Sequence, residues 1–513
     1  MLKILLKHEI LNLLKSRRIY LTVMMFLLLF MSIFVVRLID YQKQIDQYNA
    51  DIMQMEEANR NPINYSHINP RAIHKPILFS IFNEGFKYDR VISIQFLEAI
   101  TQSRAENESN NPRYRENSRI DITFLVTFFL SLFILLISYD SINGEKQTGT
   151  LRVIMTYPFK RQLFILKKAL GVFIFVAITF TIPYIISVLI LVFSYANLLT
   201  SSFFLSVFFY WFLVLLFIFF FTILGILISC LTTIPNRSLV YCLLTWLMLC
   251  IILPISWDYI ITPSMFDKEL NTLQKNLSDK TAVANKIAYE DIPDEANVNL
   301  YSHMTWNGGY THSVTAWGFT DTHEAHCKWM KYLYDYYYPA NINIEQTVDD
   351  IIRKNIATET AKSYAFFWNP IVLFSNIGDK IAGNSRADYL KFLQKAREIR
   401  NDLVSTGVKE GWLLDYRYFT LYAEDEAIEA SDTFWEQFTS TEDFMAWYEE
   451  IQAKANAQGR LVVDQHFLQK YTQPVFTFGE IFSNIAMILA MFIICILVAW
   501  LLLWSKFMHY DVR

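Results

Sequence analysis

Asp140-Ser141-Ile142-Asn143-Gly144-Glu145-Lys146-Gln147-Thr148-Gly149-Thr150-Leu151-Arg152 is a short charged insert between two apolar runs, residues 124–137 before it and 171–193 after it. Pro158, Lys160 and Arg161 follow it closely. A polar turn between two membrane spans that carries basic residues belongs on the cytoplasmic face. There it is within reach of a soluble partner, and the rest of the chain is read outward from it.

Of the 513 residues, 53% are hydrophobic and only 18% charged, the balance of a membrane protein with sizeable polar regions. The formal net charge of -4 gives no sign of nucleic-acid binding. Of five cysteines, Cys230, Cys242, Cys250 and Cys495 lie in or beside apolar runs, and Cys327 alone falls in a polar region, so no intrachain disulfide framework is expected. No small-residue cleavage site follows the first apolar run, which reads as a retained signal anchor.

Residues 1–18 alternate leucines with Lys3, Lys7, Lys15, Arg17 and Arg18, the pattern of an amphipathic helix on the inner membrane face. The first span is expected at 19–36, the second at 120–139, the third to fifth within 169–255 and the sixth at 479–505, followed by a tail at 506–513. Two polar regions separate them, 37–119 and 256–478. The insert, taken as 140–168, carries six basic residues, whereas the short connection at 194–201 carries none. Both termini are therefore expected in the cytoplasm and both polar regions outside it. The fold class is an all-α membrane protein: six transmembrane helices, an N-terminal interfacial helix and two mainly helical extracytoplasmic domains. In the second, Leu390, Leu393, Ala396, Ile399 and Leu403 recur at helical spacing.

The spans bury no acid or histidine near their middles, as an ion-coupled carrier would require. No G-x-x-x-x-G-K-[ST] pattern occurs, so a P-loop nucleotide site is excluded. His303, His312, His323 and His326, with Cys327, are side chains of metal-ligating type. Their spacing is not that of a compact zinc finger, and His323-Glu324-Ala325-His326 falls one residue short of H-E-x-x-H. They read more readily as polar, aromatic-supported surface or core residues. The aromatic run at 332–338 suits a ligand groove, a headgroup belt or core packing.

This order of parts resembles the permease subunits of ABC-2 type exporters. Glu145-Lys146-Gln147-Thr148-Gly149-Thr150-Leu151 is similar to that family's acidic residue followed by Gly-Thr-Leu, and Tyr157-Pro158-Phe159-Lys160-Arg161 to its Pro-plus-basic stretch. Two further stretches resemble the branch grouped with copper-enzyme-maturation permeases, which carries outer domains of unknown function. One is Lys75-Pro76-Ile77-Leu78-Phe79-Ser80-Ile81-Phe82-Asn83-Glu84-Gly85. The other is Asn369-Pro370 with Ala382-Gly383-Asn384, where Asn384 stands in place of the branch's Thr or Ser.

The resemblance implies that the insert is a coupling segment docking on an ABC ATPase, with Asp140, Gly144, Glu145, Lys146, Gly149, Thr150, Leu151 and Arg152 as its site residues. It implies no catalytic residue in this chain. ATP and Mg would be bound by the partner ATPase, present in two copies, and a second permease chain would complete the transporter in a bacterial plasma (inner) membrane. Two other readings remain: a non-transporting complex whose ATPase drives the outer domains against another envelope protein, and a membrane-anchored metalloenzyme.

Overall fold

The computed structural model describes residues 9, 13, 16–60, 65, 68, 70–85, 91–93, 120–155, 161–256, 262–296, 320–366, 368–412, 415, 435–457 and 478–509. Helices make up nearly all of it. Six are long and apolar enough to cross a membrane: Ile19–Glu57, Ile122–Gln147, Arg161–Ser194, Ser201–Leu231, Pro235–Ser256 and Ile485–Met508. The expected interfacial helix at 1–18 lies mostly outside the described residues.

Helix α1 (Arg17–Arg60) does not stop at Arg37. The polar helix after the first span is its direct continuation, so a single rod leaves the membrane. After it come β1 (Arg71–Ile73), a 3-10 turn (Leu78–Ile81) and β2 (Val91–Ser93), which pairs antiparallel with β1. Helix α2 is built of Ile122–Phe124, a π-helical stretch Leu125–Leu130 and Ser131–Ser138. The insert folds as α3 (Asn143–Gln147) and α4 (Thr150–Met155). Then follow α5 (Arg161–Ser194) and α6 (Ser201–Leu231). Helix α7 joins Pro235–Leu247, a π-helical Met248–Ile252 and Leu253–Ser256.

Between spans there is no gain from hiding apolar surface from water, so close packing and polar contacts decide association. Gly225 of α6 shows this. A Cβ there would lie 1.9 Å from Ser138 Oγ of α2, so the two backbones meet where no side chain intervenes. The π-helical stretches of α2 and α7 face each other. The Trp246 indole donates to the Phe128 carbonyl at 3.2 Å and to Ser131 Oγ at 3.0 Å, and Cys250 Sγ reaches the Thr127 carbonyl at 3.7 Å. Carbonyls loosened by the wider π turn are satisfied by the opposite helix.

After α7 the chain runs through α8 (Thr262–Tyr289), α9 (Thr320–Tyr332), a π-helical Leu333–Tyr337, α10 (Tyr338–Ala365), α11 (Pro370–Ala382), α12 (Arg386–Lys409) and α13 (Thr441–Ala457) to the last span, α14 (Phe478–Met508). The periodic leucines of α12 are buried, with Leu403 fully so. Expected as two domains, the polar regions share one core. Ile68 and Ala72 of the first pack with Leu333, Phe392 and Leu403 of the second. The Tyr65 ring stacks on Trp412 at 5.0 Å. The aromatic run at 332–338 belongs to this core: Tyr337 is buried, the Tyr332 hydroxyl donates to the Ile287 and Asp291 carbonyls, and Tyr338 donates to Asn401.

Two stretches expected in the polar regions instead enter the membrane bundle. Helix α11 is too short to cross a bilayer, which takes about 20 residues. Its ends carry strong signals. Asn369 caps it by accepting from the Ile371 N–H, Pro370 starts it, and Gly383 at φ 67° closes it. Ile371, Leu373, Phe374, Ile377 and Ile381 all join the core formed by the spans. Phe374 packs against Phe217, near the midpoint of α6, at 4.8 Å, and the Ile381 carbonyl accepts from Ser206 Oγ nearer the start of α6. So α11 is a short re-entrant helix, packed inside the span bundle without crossing it. The second inserted stretch is the turn at 78–82. Phe79 contacts Tyr210 at 5.6 Å and Phe82 contacts Tyr184 at 4.9 Å.

Gly225→Ala forces α2 and α6 apart, and overpacking of this kind costs about 1–3 kcal/mol. A lower Tm for Gly225→Ala, partly recovered by adding Ser138→Gly, is the expected outcome in thermal unfolding. Equal Tm values for Gly225→Ala with and without Ser138→Gly would contradict this packing.

Candidate functional site

The insert is held against the ends of α5 and α6. Helix α3 has no capping side chain of its own. Ser229 Oγ of α6 supplies the acceptor, taking the Ile142 N–H at 3.0 Å and the Asn143 N–H at 3.2 Å. Asn143 Nδ2 donates to Thr232 Oγ1 at 2.9 Å. The Lys146 ammonium donates to the Cys230 carbonyl and, at 3.1 Å, to the Thr232 carbonyl. A cation thus serves the carbonyls that α6 leaves unpaired at its C-terminus, where the helix dipole favours it.

Glu145, on the next position of α3, faces α5. Its Oε1 is 2.7 Å from Lys168 Nζ, and Lys168 is also 2.9 Å from Glu9 Oε1. Lys167 stands 3.6 Å from Glu9 Oε2. Glu9, Lys167 and Lys168 are all buried. Gly171 makes room for this cluster, since a Cβ there would meet Glu9 Cγ at 2.7 Å. Glu145 Oε2 has no hydrogen-bond partner among the described residues. Charges so placed are costly to leave single, and each here has an opposite neighbour.

Between α3 and α4 the chain turns at Gly149, φ 73°. Open space surrounds a Cβ at that position, so its backbone angle is what calls for glycine. At Gly144, by contrast, neither the backbone nor crowding requires one, a Cβ there meeting only Asp140 Cβ at 3.9 Å. Leu151 is buried and anchors α4. What faces outward is a ridge of Gln147, Thr148, Thr150, Arg152 and Val153. Asp140 is half-buried at the base of the insert. Arg161 Nη1 donates to the Met508 carbonyl at 3.2 Å, so the last span ends on the same face as the insert and Glu9.

The expected site residues therefore divide. Thr150 and Arg152 are presented outward, whereas Glu145, Lys146 and Leu151 are engaged inside the chain. Sequence reading missed Glu9, Ser229 and Thr232 altogether and counted Lys167 and Lys168 only as basic residues of the loop. The signal for the lysines was present: two adjacent cations at the start of a span need anions, and Glu9 is the single acid in the first 39 residues.

Of the candidate metal ligands, only the Cys327 side chain falls among the described residues. His303 and His312 lie outside the described residues, and of His323 and His326 only the backbone, on α9, is described. Among the described residues no group of three or more His, Cys, Asp or Glu is placed to hold a metal ion. Burial, together with Asp415 and Glu324 nearby, pushes the Cys327 thiol up to about 11.

Residues 3–294 match the family described as ABC-2 family transporter protein. A stretch of 50 residues is 46% identical to the probable ABC transporter permease protein NosY of Pseudomonas aeruginosa, and it covers 10% of this chain and 18% of that protein.

Two outcomes are expected from these geometries. Lys168→Met leaves the Glu9 and Glu145 carboxylates facing each other, and breaking a buried pair costs about 3–5 kcal/mol. Glu145→Gln keeps the Lys168–Glu9 pair and should lower stability far less in a denaturation series. Equal losses would mean that Lys168 is not the shared partner. For Cys327, alkylation at pH 8 should run about a hundredfold slower than for an ordinary thiol, because only the thiolate reacts. Its rate should still be climbing as pH approaches 11; a plateau near pH 9 would overturn this.

Proposed function

The chain belongs to the ABC-2 transporter family, and on that premise we propose that it is the half-transporter whose insert couples a separate ATPase to export. The observation that carries this reading is the insert's division of labour. Gln147, Thr148, Thr150, Arg152 and Val153 offer a compact outward ridge of the size of one helical turn and a half. Directly behind it, Glu145 grips α5 through Lys168, and Lys146 with Asn143 grips α6. A push on the ridge therefore reaches two spans through short polar contacts in a low-dielectric setting, where such contacts resist stretching.

The other parts of the reading follow. The ATPase is a separate polypeptide that binds ATP and Mg, with one copy on each of two permease chains. The insert face, rich in Lys and Arg, is cytoplasmic, and with it both termini. The membrane is a bacterial plasma membrane, and the polar regions lie outside it. Between export and a purely mechanical complex, the re-entrant α11 favours export. A lever that worked only on the outer regions would need no helix inside the span bundle.

The test is co-purification with candidate ABC ATPases from the same cell, followed by ATPase assay after reconstitution. Arg152→Glu reverses the one charge on the ridge, and like charges facing across an interface cost enough to lower capture of the ATPase by at least about tenfold. Glu145→Ala should still capture the ATPase but lose the permease-dependent part of its turnover. Capture unaffected by Arg152→Glu, or full turnover with Glu145→Ala, would remove the insert from the docking and coupling roles respectively.

A further inference from the structure

At the end of the bundle opposite the insert, four stretches of chain meet around Glu84. Arg37 of α1 lies about 30 Å along the helix from Arg17, at 1.5 Å per residue, a distance equal to the hydrocarbon thickness of a bilayer. Its guanidinium is buried. Nη1 is 3.2 Å from Glu84 Oε2 and 3.1 Å from Asp40 Oδ2, and Nη2 donates to the Ser80 carbonyl at 3.3 Å. The Glu84 N–H donates to Asp121 Oδ2 at the start of α2 at 3.1 Å. The Glu84 carbonyl accepts from Asn384 Nδ2 at 3.2 Å. Arg37, Glu84, Asp121 and Asn384 are each 7% exposed or less.

Asn384 stands at a junction. It directly follows Gly383, which closes the re-entrant α11, and directly precedes Ser385, which caps α12 of the outer core. Gly85, at φ +65°, presses against it so closely that a Cβ would lie 2.5 Å from Asn384 Cβ. Tyr210 of α6 makes a second bridge between the same two stretches, touching Phe79 at 5.6 Å and Phe374 at 5.9 Å. The inserted turn and the end of α11, some 300 residues apart, are therefore joined by the Asn384–Glu84 hydrogen bond and by their shared contact with Tyr210, while the Glu84 carboxylate ties the turn to α1 through Arg37.

We propose that Glu84 is the centre of a latch that holds the inserted turn and α11 in the bundle as one unit, so that the two enter and leave together. That this unit closes the outer end of an export path rests on the function proposed above; the latch itself rests on the contacts around Glu84. The closed arrangement is poised. Arg37 Nε and Asn83 Nδ2 are buried without a hydrogen-bond partner among the described residues, a cost that the open arrangement relieves.

The experiment uses the full chain in lipid nanodiscs without any ATPase, so it stands apart from the coupling reading. Ser80→Cys and Ala382→Cys, both buried in the wild type, are made singly in a Cys327→Ser background and labelled with a membrane-impermeant maleimide. Both thiols should react slowly. Glu84→Gln, which removes the charge, should accelerate both by the same factor, about tenfold or more, a tenfold change being ~1.4 kcal/mol in the opening equilibrium. Acceleration at Ser80→Cys alone, or at neither thiol, overturns the latch. So does reaction of the native span cysteine Cys495, which would show a general loosening. Should Glu84→Gln fail to yield folded protein, Asn384→Ala takes its place; it leaves every charge paired and is held to the same outcomes.

Discussion

Hydrocarbon offers no water to satisfy a backbone carbonyl or a charge, and most of what is distinctive in this bundle answers that constraint. The π-helical carbonyls of α2 are met by Trp246 and Cys250 from α7. The Leu249 carbonyl, in the π-helical part of α7, accepts from Asn369 Nδ2 at 3.1 Å. The same asparagine caps α11, so one side chain settles the breaks in two helices. The end of α6 is settled by Lys146, and the start of α3 by Ser229. Each irregularity is tied to a neighbouring element, and the neighbours are thereby held in place.

This explains why the charged residues near the membrane gather at two levels. Glu9, Glu145, Lys167 and Lys168 form one cluster at the insert face. Arg37, Asp40, Glu84 and Asp121 form the other at the opposite face. Between them, among the described residues, the spans hold together through aromatic rings and small polar side chains. Phe26 with Phe133, stacked, and Phe30 with Phe180, edge to face, are pairs of this kind. Aromatic contacts of that sort are worth about 0.5–1.5 kcal/mol each, less than a buried ion pair costs to break. The firm contacts are therefore at the ends of the spans and the softer ones in the middle.

The spans, their number and the position of the insert were legible because a long apolar run has few alternatives. Burial of the α12 leucines was legible for the same kind of reason, a period repeated often enough to exceed noise. The re-entrant α11 was not. At thirteen residues, with Asp379 and Lys380 inside it, it reads as an amphipathic helix of a soluble domain, and only its neighbours reveal where it sits. Its boundary signals, Asn369-Pro370 and Gly383, were visible and were taken as family motifs rather than as the ends of a helix. Arg37 opens the polar region expected after the first span, but its partner Glu84 lies 47 residues beyond it in a stretch whose entry into the bundle has no periodic sign. Glu145 carries a similar lesson. An acid in a basic loop invites an external partner, whereas Lys168 of the next helix had already claimed it.

Helix α6 connects these observations. At its C-terminal end Ser229, Cys230 and Thr232 hold the insert. Toward its start Ser206, Tyr210 and Phe217 hold α11 and the inserted turn. It spans about 46 Å at 1.5 Å per residue, it contains no proline, and no π-helical stretch interrupts it. Its neighbours α2 and α7 each carry such a stretch, and α5 carries Pro183. Of the four, α6 is therefore the helix with the least reason to bend between its contacts to the insert and its contacts to α11. The Arg37–Glu84 pair bears on α1 and α2, not on α6. Movement of α6 against those two helices would change the aromatic contact at Tyr210 first and the ion pair second. Tyr210 sits on α6 itself, whereas Glu84 is moored to α1 and α2 beside it.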